Sequence, residues 1–103
     1  ADFPVPIVVV QHMPPMFTRL LADRLDAQSE LTVREAANGD RAGPGEVYLA
    51  PGDRHLKVLR EPLGPRLKLT TDPPENSCRP AADVLFRAAA DQYGPGVLAV
   101  VLT

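Results

Sequence analysis

The chain has 103 residues, the size of one small domain, and its 45% hydrophobic and 23% charged residues exclude disorder, collagen and a coiled coil as whole-chain descriptions. Eleven basic and 13 acidic side chains give a net charge of −2 with the basic residues scattered, which argues against a nucleic-acid partner. There is no run of 18 apolar residues to span a membrane. With no Trp and 5% aromatics the core must be aliphatic, and 12 prolines mark short elements. The one cysteine, Cys78, has no internal disulfide partner and is compatible with a reducing compartment.

Residues 5–11 carry the continuous run Ile7-Val8-Val9-Val10, which predicts a buried parallel strand. His12 follows it, and Pro14-Pro15 suits a loop entering a helix. Phe17, Leu20, Leu21 and Leu25 share one face of a predicted helix over 16–26. Weak alternation over 31–36 predicts a strand, and the turn signals Asn38-Gly39-Asp40 and Gly43-Pro44-Gly45 precede another over 46–50. After Pro51-Gly52-Asp53, residues 55–60 and 66–71 alternate as an antiparallel hairpin with Lys57 and Lys68 facing water. Residues 72–79 form a polar loop, and Pro80 suits the first position of a helix over 80–93 with Leu85, Phe86, Ala89 and Tyr93 inward. The apolar run 97–102 predicts a second buried parallel strand. Strand–helix at the start and helix–strand at the end spell an α/β fold. Both apolar runs lie against the chain ends, so the segment is expected to be an internal piece of a larger domain.

His12 is the first candidate for chemistry. It stands beyond the carboxyl end of a predicted parallel strand, where ligands of open α/β sheets bind, and an imidazole exchanges protons near neutrality. The competing reading is a loop histidine bonded to backbone. The helix that follows His12 could offer its N-terminal amides to an anion. A histidine base needs a nucleophile, and the choices are thin: Ser29 and Ser77 lack a glycine-rich elbow, and Cys78 could pair with His12 but a solitary cysteine is more often a small buried hydrophobe. His55, at the head of a hairpin strand, reads as a surface or turn residue. His12, His55 and Cys78 lack zinc-site spacing, and the glycines are spread over turns rather than gathered in a phosphate loop.

Four ordered blocks carry a resemblance. Val9-Val10-Gln11-His12-Met13-Pro14-Pro15-Met16-Phe17-Thr18 resembles the histidine segment of the chemotaxis protein-glutamate methylesterases, the CheB type. The stretch from Ala36 to Asp40, with Gly43 to Leu56, is similar to that family's central turn-and-strand segment. Asn76 to Arg87 is similar to its Arg-Pro helix entry, and Gly96 to Thr103 to the strand before its last catalytic loop. Ser77-Cys78 departs from the Arg-His of some relatives, and Arg79-Pro80-Ala81-Ala82 from the commoner Arg-Pro-Ser-Val.

The resemblance implies a doubly wound α/β fold, incomplete in this chain: a mainly parallel sheet with helices on both faces and an antiparallel hairpin. Residues 1–103 would be the central part of one methylesterase catalytic domain. It implies hydrolysis of glutamate methyl esters, with possible deamidation of glutamines, on methyl-accepting chemoreceptors in the cytoplasm. The chemistry is that of a Ser-His-Asp triad without metal or organic cofactor. On this match His12 is the triad histidine, while the serine lies upstream of Ala1 and the aspartate downstream of Thr103. Met13 and Arg79 are expected at the substrate rim, with the equal alternative that Arg79 pairs with Asp53 or Asp83 and only holds the 72–80 loop. A phosphoacceptor regulatory domain often belongs to the same full-length chain. Two alternatives stay open: a related serine hydrolase or amidase acting on another protein, and a non-catalytic regulatory or binding descendant.

Overall fold

The computed structural model describes residues 4–75 and 77–94. The strand expected over 97–102 lies outside them. Three short strands, β1 (Ile7–Val9), β2 (Thr32–Glu35) and β3 (Glu46–Leu49), form a parallel sheet in the order β1-β3-β2. The helix α1 (Pro15–Gln28) links the two outer strands. Two further strands, β4 (His55–Leu59) and β5 (Arg66–Thr70), pair antiparallel as a separate two-stranded sheet, followed by the helix α2 (Ala82–Tyr93).

The registers explain which side chains go where. Ile7 and Val33 flank Val47, and Val9 and Glu35 flank Leu49. On that face Ala22 of α1 packs with Val33 and Leu49, joined by Val9, Leu21 and Val47. Side chains alternate along a strand, so Val8 and Tyr48 face the other way. There Tyr48 and Ala50 pack with Leu56, Val58 and Leu67 of the hairpin and Leu85 of α2. The sheet is therefore covered on both faces, by α1 on one and by the hairpin with α2 on the other. This is the α/β arrangement with helices on both faces that the sequence implies.

Helix α1 turns a different face inward from the one its apolar spacing predicts. Phe17, Leu20 and Leu25 stay exposed, and Thr18 and Ala22 are the buried pair. The inner stripe is Thr18, Ala22 and Asp26, spaced four apart as helical neighbours are. Small side chains let the helix lie close to the sheet, and the polar ends of the stripe bond to it: Val33 N–H donates to Asp26 Oδ1 at 2.8 Å, and Thr18 bonds Glu35. Of the four apolar residues expected on the inner face only Leu21 packs against the sheet, and apolar periodicity cannot see the alanine and the two hydrogen-bonding residues beside it.

In the hairpin, Leu56 and Val58 stand opposite Leu69 and Leu67. Lys57 stands opposite Lys68, a like-charge pair that costs energy unless relieved. Lys68 is exposed as expected, but Lys57 is half-buried, its ammonium 3.4 Å from Asp72 Oδ2.

His55 is the clearest correction. It is 1% exposed rather than a surface or turn residue. Ala81 N–H donates to its Nδ1 at 3.3 Å, so the proton sits on Nε2, 3.0 Å from Pro73 O. The neutral ring ties the hairpin to both ends of the loop before α2. The helix starts later than expected: Ala82, not Pro80, is the first residue of α2, with Ala81 as its cap, and Pro80 is buried and joined to Arg79 by a cis peptide. On α2, Leu85, Ala89 and Tyr93 face the core as expected, with Val84 and Ala88 beside them, while Phe86 is half-buried.

The other end of that loop is pinned by charge. Glu75 pairs with Arg87 of α2, and that guanidinium holds the Glu75 carboxyl below its ordinary range. A lowered folded-state pKa means that the pair's contribution is complete above the unfolded carboxylate value, about 4.3, and is lost as pH falls through the folded value. The stability gap between the whole protein and its Glu75→Gln variant should therefore be constant from pH 7 to about 5 and close below about 4. Melting curves across that range check it, and a gap that widens in acid would contradict it.

Candidate active site

All three strands of the parallel sheet end on one edge, and the segments that leave them meet there. Val9 O accepts from Ala50 N–H at 2.9 Å, and Ala36 N–H donates to Leu49 O at 2.8 Å, so the three chain exits are locked side by side. His12 follows β1 by three residues and is exposed. Pro14 and Pro15 then fix the path into α1, with Pro15 in its first turn.

Along this edge runs an open groove of about 460 Å³. His12, Met13, Pro14 and Pro15 form one wall, Ser77, Cys78, Arg79 and Pro80 the other, and Asp53 lies between them. Two segments far apart in sequence, each singled out for chemistry, thus share one site. Among the described residues, Asp53 and Ser77 are the non-glycine residues with positive φ, 63° each, and both line the groove. Such backbone is held only where its surroundings demand it, and it clusters at functional sites.

Within the groove Cys78 Sγ lies 3.9 Å from His12 Nδ1. The Nε2 atom has no hydrogen-bond partner among the described residues. Ser29 is remote, capping the end of α1 and accepting from Leu31 N–H at 3.0 Å. The expectation that α1 offers amides to an anion is weakened by the fold. Pro15 has no N–H, and those of Phe17 and Thr18 turn back onto Pro14 O at 3.0 and 3.2 Å.

Arg79 is committed to the protein. Its Nε and Nη2 converge on Asp53 Oδ1 at 3.0 and 2.7 Å, and Nη1 reaches Thr71 O and Asp72 O at 3.0 and 3.3 Å. Asp53 N–H in turn donates to Arg79 O at 3.1 Å. The guanidinium shapes the rim from behind. Replacing Arg79 with Ala in the whole protein should cost about 1–2 kcal/mol of stability. Turnover per folded molecule should stay within about threefold, because only bonds inside the rim are lost. Paired melting and turnover measurements check this, and a larger turnover loss at unchanged stability would make Arg79 a substrate ligand.

A second hollow, about 250 Å³, lies between β4 and α2. Of its charged residues Lys57 pairs with Asp72 and Arg87 with Glu75, leaving Asp91 without an ion pair among the described residues, and it joins no nucleophile to a base. Among the described residues, no group of three His, Cys, Asp or Glu could hold a metal ion, and no helix is long and apolar enough to cross a membrane.

A sequence profile of the CheB methylesterase family matches residues 1–103. The chain belongs to the CheB methylesterase family. A protein-glutamate methylesterase/protein-glutamine glutaminase of a Nocardioides species is 57% identical over 99 residues, covering 96% of this chain and 27% of that protein. One from Trichodesmium erythraeum is 52% identical over 103 residues, covering 100% and 29%. The crystal structure of the Thermotoga maritima CheB methylesterase catalytic domain matches with a TM-score of 0.85 at 50% identity, covering 89% of this chain and 49% of that one. The chain thus spans less than a third of the two full-length relatives and half of a CheB catalytic domain.

The sequence singled out His12, Met13, Arg79, Ser77 and Cys78, and all five line the groove. It also offered Asp53 as a partner that would hold Arg79, as it does here, but not as a residue of the groove itself. The signal available was Pro51-Gly52-Asp53, which reads as an ordinary chain reversal until the groove is seen on either side of it.

Proposed function

We propose that the groove is part of the active site of a protein-glutamate methylesterase, with His12 as its general base and acid. The observation that carries this reading is the exposed His12 ring on the carboxyl edge of a CheB-type sheet, facing an open groove, with Nε2 free of hydrogen bonds to the described residues. On this reading residues 1–103 are the central part of one catalytic domain, and parts of the domain outside them supply the triad serine and aspartate.

The serine hydroxyl gives its proton to the imidazole as its oxygen attacks the glutamyl ester carbonyl. The tetrahedral oxyanion collapses, and the imidazolium returns that proton to the departing methoxide, releasing methanol and leaving an acyl-serine. Water then gives a proton to the imidazole and attacks the acyl carbon. Collapse frees the glutamate carboxyl group, which gives up water's second proton to solvent, and the serine oxygen regains its proton from the imidazolium. A glutamine side chain follows the same course with ammonia leaving. The groove's breadth suits a side chain presented on a protein surface, which favours methyl-accepting chemoreceptors as substrates. Every step is a proton transfer coupled to attack or departure at the acyl carbon, so none calls on a metal or organic cofactor. The site belongs to a cytoplasmic enzyme acting on the cytoplasmic side of its receptor. Methanol release from methylated receptor by the full-length protein and its His12→Ala variant tests the assignment.

One observation favours a second reading. Cys78 Sγ, 3.9 Å from His12 Nδ1, could serve as the nucleophile in a thiol–imidazole pair. Losing the Cys78 thiol would abolish turnover on that reading and leave it nearly unchanged on the first.

A further inference from the structure

Thr18 is a buried polar residue at 0% exposure, in the first turn of α1 and far from solvent. Its Oγ1 accepts from Gly52 N–H at 3.0 Å, a bond buried on both sides and joining residues 34 apart in sequence. The same oxygen lies 2.6 Å from Glu35 Oε2 and 2.9 Å from Pro15 O, two acceptors for its one proton. One hydroxyl therefore ties the start of α1, the end of β2 and the turn after β3 together.

Gly52 is the matching contact. A Cβ there would lie 2.4 Å from Pro15 N, 2.6 Å from Met13 O and 2.6 Å from Pro14 C, all backbone atoms of the segment that follows His12. The turn thus presses directly on that segment, closer than any residue with a side chain could. On the other side of His12, Val9 is fastened by Ala50 N–H. The residue after Gly52, Asp53, holds Arg79 on the opposite wall. Both walls of the groove are referenced to one turn, and Thr18 fixes that turn to the helix.

We propose that Thr18 and Gly52 are positioning residues that set the place of the His12 imidazole relative to the nucleophile. The proposal rests on the reading of His12 as the catalytic base. Both act through the Met13–Pro15 backbone, and neither needs to touch substrate. Reactions of this type are sensitive to placement: a shift of about 1 Å costs on the order of 100-fold.

The test uses the full-length enzyme, assayed for methanol release from methylated receptor well below the melting temperature of each variant. Thr18→Val keeps the shape and removes the bond to Gly52, and kcat per folded molecule should fall roughly 10- to 100-fold with KM within about threefold. Thr18→Ser restores the hydroxyl and should recover kcat to within about threefold of the parent. Gly52→Ala leaves the hydrogen bonds chemically possible and only crowds Met13–Pro15. It should lower kcat at least about tenfold, and it serves as the independent variant if Thr18→Val does not fold. A lower melting temperature with unchanged kcat in folded Thr18→Val or Gly52→Ala would reduce the contact to a fold brace and overturn the proposal, as would Thr18→Ser losing as much kcat as Thr18→Val. His12→Ala is run alongside. If it keeps its turnover, the reading of His12 fails; if it loses turnover while Thr18→Val and Gly52→Ala keep theirs, the positioning role alone fails.

Discussion

His12→Ala in the full-length protein should lower methanol release by roughly four to six orders of magnitude. On the proposed mechanism the imidazole acts in both halves of the reaction, taking a proton from each attacking oxygen and returning it to each leaving one. Without it a serine hydroxyl stays protonated at neutral pH and methoxide leaves unaided. Residues that act as a unit fail together, so one deletion forfeits most of the rate. Stability should shift by about 0.5 kcal/mol or less, because the ring is exposed and carries no core packing. Melting curves beside turnover separate the two effects. A variant that loses turnover only in proportion to its folded fraction would remove His12 from the chemistry.

The 103-residue chain on its own should release no methanol above the uncatalysed rate. Among its described residues one imidazole stands at the groove, with no carboxylate placed to hold its tautomer. The fold also leaves large apolar side chains open to water on α1, with Met16 72%, Leu20 56% and Phe17 50% exposed. An apolar patch of this kind belongs against another surface, and a chain presenting it alone is expected to associate or fold weakly. Assay of the purified segment beside the full-length protein, with circular dichroism to report its folding, checks both points. Substantial release by the segment would place the nucleophile within it.

Most of the architecture could be read from the chain because its signals are local. The β-branched run at Ile7–Val10, the alternation over 55–60 and 66–71, and the prolines before α1 each report on their own residues. Three features were hidden because they depend on what lies across the fold. Nothing near His55 in sequence says that Ala81 N–H will bond its ring. The inner face of α1 is chosen by Thr18 and Asp26, whose partners Gly52, Glu35 and Val33 are distant in the chain. The insertion of β3 between β1 and β2 is a matter of topology, which strand patterns do not encode. The site divides the same way. His12 could be found from strand position, whereas the pairings of Arg79 with Asp53 and of Cys78 with His12 could only be offered among alternatives until the two loops are brought together.

The central claim is that this segment contributes the base and a rim, while the attacking oxygen comes from elsewhere in the domain. The most direct test is methanol release by full-length protein in which Ser77 and Cys78, the hydroxyl and thiol lining the groove, are both replaced with Ala. Turnover per folded molecule within about threefold of the parent is the predicted result. A fall of three or more orders of magnitude, with the fold intact, would put the nucleophile on the 72–80 loop and contradict the account.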